Sequence, residues 1–163
     1  MGLGFELRES FSGSYYRLDE PVVDRAIRLS LRLNVDGMRR FFRERKILVD
    51  GAIFAEGLAE RVRAGAPLWG SATMKLFDEK RVPYDLSFQG DDGKSYRLRG
   101  QRDFFIHDAI DSLTILPASL YDEANVEIAR ALLRFDPKTE LPALARSFRP
   151  RVRAGAWLSS GKA

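Results

Sequence analysis

The sequence predicts a mostly β protein: a single antiparallel β-barrel of about seven or eight strands with two short helices. Three observations carry that expectation. Ile27, Leu29, Leu31, Leu33 and Val35 alternate with Arg28, Ser30, Arg32 and Asn34, a period of two that gives a strand one buried and one wet face. Further alternating runs follow one another through short polar turns, as in consecutive hairpins. Many short strands joined this way leave two exposed edges unless the sheet closes on itself.

The elements can be justified in chain order. Residues 11–18 read as a strand, followed by the patterned run ending at Val35. Asp36 can cap a short helix bearing Met38, Phe41 and Phe42 on one side and charges on the other. Residues 46–55 form another strand, and Gly57–Gly70, with Pro67 inside it, is the longest irregular stretch. Ala72, Met74 and Leu76 lead through Asp78–Arg81 into Tyr84, Leu86 and Phe88. The turn Gly90-Asp91-Asp92-Gly93 returns the chain to Tyr96, Leu98 and Gly100, because Asp and Gly suit tight-turn backbone. Residues 112–121 and 126–135 flank Asp122–Asn125 as a last hairpin. Leu141, Leu144, Ala145 and Phe148 fall at i, i+3, i+4 and i+7, one stripe of a second helix. The interior of such a lipocalin-like barrel holds packed side chains or one small ligand.

The 163 residues, 45% hydrophobic and 31% charged, suit one globular domain, expected over residues 1–150. The formal charge is +4, but five of the 27 basic residues, and no acid, lie in 141–163. The remaining 22 face all 23 acids, so the body is near neutral and residues 151–163 read as a basic tail. Without interleaved aromatic and basic residues, no nucleic-acid partner is expected. There is no cysteine, which excludes thiol catalysis, disulfide scaffolds and iron–sulfur clusters. No apolar run reaches the ~20 residues of a membrane span. MGLGFELRES shows no signal-peptide pattern, so the expected location is cytoplasmic.

Chemistry-bearing residues are few. His107 is the one histidine, and Asp103, Asp108 or Asp111 could orient it for acid–base work; alternatively it lies in a charged turn between strands. One histidine and no cysteine argue against a zinc site, so no metal is expected. Gly2-Leu3-Gly4 lacks a preceding strand and the third glycine of a dinucleotide fingerprint, and no cofactor is expected. Asp91 and Asp92 are assigned to the turn rather than to calcium. Tyr84, Phe88, Tyr96 and Met74 share the inward alternation, with Trp69 just before them. They read either as the wall of a cavity for an apolar ligand or as a filled core.

The segments Phe11-Ser12-Gly13, Tyr84–Phe104, Leu113–Asp122 and Ile128–Arg149 together resemble a β-rich accessory domain found with bacterial flavoprotein oxidoreductases of the glucose-methanol-choline, cholesterol-oxidase-like type. The resemblance rests on the GDDG turn, the strand closing near Gly100 and the strand that follows, and spans about residues 9–149. The flavin-binding domain itself is absent from the sequence. The likeness implies a stand-alone relative of a helper module, associated with apolar or sterol-like substrates and with a larger oxidoreductase as partner. It carries over no catalytic residue.

Three functions follow as expectations: a binding barrel for a lipid, sterol or polyketide-like molecule; a cofactor-free isomerase or cyclase acting on an enclosed apolar substrate; or a docking module for an oxidoreductase, with Arg149, Arg151 and Arg153 giving salt-sensitive contact. Binding ranks first.

Overall fold

The computed structural model describes residues 3–75, 79, 81–103, 114–135 and 149–152. Nine strands and one helix follow in order: β1 (Leu3–Arg17), β2 (Glu20–Val35), α1 (Met38–Glu44), β3 (Lys46–Ala55), β4 (Ala66–Thr73), β5 (Arg81–Gln89), β6 (Ser95–Asp103), β7 (Ile115–Tyr121), β8 (Glu127–Arg134) and β9 (Arg149–Val152). Each strand from β1 to β7 pairs antiparallel with the next, and β8 pairs back onto β1, closing an eight-stranded barrel. The closing seam joins Ser12–Arg17 to Ala129–Arg134. Farther up β1, β9 pairs with Leu3–Glu6 in line with β8.

The alternation in β2 works as expected: Ile27, Leu29, Leu31, Leu33 and Val35 are all buried, while Arg28, Ser30 and Arg32 are exposed. Equivalent sets from the other strands complete one core inside the barrel, including Ile53, Leu68, Leu86, Phe88, Leu98, Leu120 and Leu133. Closure needs the strands to bend and approach closely at the seam. Gly13 sits where a Cβ would fall 1.9 Å from the Leu132 carbonyl oxygen, so only glycine lets β1 and β8 meet there.

Several boundaries differ from the sequence reading, each for a local reason. The first strand begins at Leu3 rather than residue 11, because its upper half gains partners on β2 and β9. Gly37, not Asp36, is the N-cap of α1; its backbone is extended and no side chain bonds the first turn. The irregular stretch ends early, since Ala66–Thr73 pairs with β3 and forms β4. The expected boundary at residue 150 falls inside β9, whose Arg149–Val152 backbone belongs to the sheet. The second helix, over Leu141–Phe148, lies outside the described residues, as does Leu76. Among the described residues no helix is long and apolar enough to cross a membrane.

The barrel has two unlike ends. One carries the turns at Leu18-Asp19, Gly90–Gly93 and Asp122–Asn125 and the loop after β3. The other carries α1, the start of β1 and the ends of β6 and β8.

Candidate functional site

On the inner face of β1 the inward positions include Glu9, Phe11 and Tyr15, all buried. On β5 they are Val82, Tyr84, Leu86 and Phe88, and on β6 Leu98 and Arg102. Two charged residues therefore point into the apolar core, near the helix-bearing end. They find each other across it: Arg102 Nη2 donates to Glu9 Oε2 at 2.8 Å, with side-chain exposures of 8% and 7%. The Tyr84 hydroxyl donates to the same oxygen at 3.2 Å. Tyr84 can extend into the lumen because its neighbours on the inner face, Ala72 on β4 and Gly100 on β6, are small.

Aromatic rings surround the guanidinium. Its central carbon lies 4.5 Å from the Phe11 ring and 5.6 Å from those of Tyr84 and Phe135. Such rings stabilise a cation through their negative faces, the more so where water is excluded. One donor remains unused: Arg102 Nε is buried without a hydrogen-bond partner. A buried N–H left unpaired forfeits on the order of 1–3 kcal/mol, so the position favours an oxygen acceptor.

The proton chemistry of the cluster is that of a fixed donor set. Burial, and then the Glu9 carboxylate beside it, push the Tyr84 hydroxyl well above the ordinary phenol range. Tyr84 therefore keeps its proton near neutral pH and acts as a donor, not a base.

The residues expected from sequence are divided by the fold. Tyr84 belongs to this cluster. Phe88 is fully buried nearer the other end, stacked on half-buried Tyr96 at 5.7 Å. Tyr96 is tied to the turn: its hydroxyl donates to Asp92 Oδ2 at 2.6 Å. Met74 follows β4 at the helix-bearing end, half-buried against the core. Trp69 corrects the expectation. Leu68 takes the inward position on β4, so Trp69 faces outward, 53% exposed, and lines a groove on the outer wall with Ser87, Tyr96 and Arg97. Asp103 ends β6 and accepts from Gln101 Nε2 at 2.7 Å; His107 and Asp108 lie outside the described residues.

Asp91 and Asp92 serve the backbone, as their turn position suggested. Asp91 accepts from the amides of Glu60 and Arg61, and Asp92 from that of Lys94. Among the described residues no group of three or more acidic or histidine side chains could hold a metal ion.

A groove of about 580 Å³ also crosses the outer wall over β4–β8, floored by Gly100, Ala118 and Ala131. Its charges are already engaged: Arg99 and Asp85 are 3.7 Å apart, and Arg130 pairs with Glu127 at 2.8 Å. The inner cluster is the stronger candidate because, among the described residues, Arg102 is the one buried residue with an unpartnered side-chain nitrogen, whereas Arg25 Nη1 and Arg81 Nε belong to partly exposed side chains. Sequence reading missed Glu9 and Arg102, although Arg102 stands in phase with the inward Leu98, where a charge is anomalous.

Comparison of the chain with family models, curated proteins and solved structures gives no match.

Proposed function

We propose that this barrel is a binding module for a small, largely apolar molecule held in its lumen. The observation that supports the reading most directly is Arg102, a guanidinium buried among Phe11, Tyr84 and Phe135 with its Nε hydrogen unused. An apolar wall with a single oriented donor set is the usual chemistry of a small-molecule site. The lumen supplies the apolar contact, at about 25 cal/mol per Å² removed from water, and Arg102 fixes orientation. Binding accounts for the cluster better than acid–base turnover does, since Tyr84 holds its proton and both donors already engage Glu9. The resemblance to a flavoprotein accessory domain accords with the same role, as a module that carries or presents an apolar substrate beside an oxidoreductase.

Native mass spectrometry of the freshly purified chain tests the proposal, followed by denaturation and analysis of any released molecule. The expected result is a discrete adduct that disappears on denaturation, or uptake of one component from a mixture of lipids and sterols. A clean apo mass with no uptake from that mixture overturns it.

A further inference from the structure

We propose that α1 and the strand start that follows it form a docking surface for an anionic lipid membrane, with Phe42 entering the headgroup region and the arginines around it meeting the lipid charges. The proposal stands apart from what the barrel interior holds. Phe42 is 67% exposed, in the middle of α1. Its ring meets Phe41 edge-on at 5.6 Å, Phe41 meets Phe5 at 6.1 Å, and both of those pack against the core. A chain of rings thus holds the exposed one in place. Arg39, three residues before Phe42, shares its side of the helix, and Arg43 lies four residues on from Arg39. Within Met38–Lys46 five basic residues stand against Glu44 alone, which meets Arg40 at 3.1 Å and Arg43 at 3.5 Å. Arg39 and Lys46 are exposed and enter no ion pair among the described residues.

The turns at the other end of the barrel have the opposite sign. Leu18-Asp19, Gly90–Gly93 and Asp122–Asn125 carry Asp19, Asp91, Asp92, Asp122 and Glu123, and no base. A negative surface therefore attracts α1 and repels the turns, which orients the barrel before contact. Each cation brought against such a surface is worth about fivefold in affinity, and a sunken aromatic adds apolar contact that salt does not screen. A nucleic acid fits less well, because binding its strand calls for a basic groove that tracks the backbone. The depression beside α1 holds only about 60 Å³, and Asp36 and Glu44 line it with Arg40 and Lys46. Leu48, 54% exposed in the wall of that depression, widens the apolar contact instead.

Flotation of the full chain with vesicles tests the proposal, using phosphatidylcholine alone and phosphatidylcholine with one-third phosphatidylserine. Binding is expected to be at least about tenfold tighter to the anionic vesicles, and to weaken as salt rises. Arg39→Gln together with Arg43→Gln should weaken it about twenty-fivefold, and Phe42→Gln about tenfold. All three side chains are exposed, so the variants keep the folded barrel, which an unchanged melting temperature checks. Lys94→Gln removes one charge beside the turn at Gly90–Gly93 and should leave binding within about twofold. Absence of binding to the anionic vesicles overturns the proposal. So does anionic binding that survives both α1 changes, since it then belongs to another surface such as residues 151–163. A short single-stranded DNA that binds more tightly than the vesicles, and is lost with the arginines but not with Phe42, assigns the patch to nucleic acid and overturns it as well.

Discussion

Arg102 on β6 and Glu9 on β1 lie 93 residues apart in sequence and meet at 2.8 Å inside the barrel. They make a polar strut across an interior otherwise built of Leu, Ile, Val, Phe, Tyr and Ala. A buried pair of this kind is unsymmetrical in its energetics. Removing one partner strands a charge and costs about 3–5 kcal/mol, whereas replacing both with apolar groups of similar volume is often neutral or stabilising. Arg102→Met is therefore expected to destabilise the barrel by that amount in urea denaturation. The double replacement Glu9→Leu with Arg102→Met should recover most of the loss. Equal stability of the single and double variants would show that the two charges are not coupled.

Glycine positions along the chain separate sharply by what surrounds them. At Gly13 an added methyl meets the Leu132 carbonyl oxygen at 1.9 Å, and that oxygen is backbone in the closing seam. Gly13→Ala should cost about 1–3 kcal/mol, the range for forced overpacking. At Gly37 nothing lies within 4 Å, and the residue is an N-cap with no side-chain bond to offer. Gly37→Ser is expected to raise stability by a few tenths of a kcal/mol. Thermal unfolding of the two variants checks both signs, and a neutral Gly13→Ala would contradict the tight seam.

The Tyr96–Asp92 bond links stability to pH at both extremes. Burial and the neighbouring Asp92 carboxylate push the Tyr96 hydroxyl from 10.0 to about 12. The folded protein thus holds that proton more tightly, so the contribution is complete below pH 10 and lost as pH rises through about 12. Asp92 moves the other way, held below its ordinary 3.8 first by the Tyr96 hydroxyl and then by the Lys94 amide. Its contribution is present above pH 3.8 and disappears as pH falls through the lowered value. Tyr96→Phe should lower the melting temperature at neutral pH, and the gap to the parent should narrow between pH 10 and 12. A gap that is constant across that range would remove the hydroxyl from the account.

What could be read in advance was local. The alternation of Ile27–Val35, the GDDG turn and the last hairpin each depend on neighbours within one or two strands, and those became β2, the β5–β6 turn and β7–β8. The polar centre could not be read that way. Glu9 precedes the strand start visible in the pattern, and a carboxylate reads by default as solvent-facing. Its partners are 75 and 93 residues away, a pairing that only barrel closure creates. Trp69 failed for a different reason: in a period-two element a shift of one residue exchanges the faces, and Pro67 hid the strand that sets its phase.

That outward face gives a decisive control for where a ligand sits. Trp69 is half-exposed on the outer wall, so Trp69→Ala uncovers only the half of its ring that packs there and should cost about 1–2 kcal/mol of stability without touching the inner cluster. If the ligand occupies the lumen, affinity for an apolar probe such as 1-decanol should stay within about twofold, or 0.4 kcal/mol. Tyr84→Phe keeps the ring but deletes the donor to Glu9, and should cost about 1 kcal/mol of stability. The two variants thus separate the inside of the barrel from the outside. A loss of decanol binding in Trp69→Ala, with Tyr84→Phe unchanged, would move the site to the groove that Trp69 shares with Ser87, Tyr96 and Arg97.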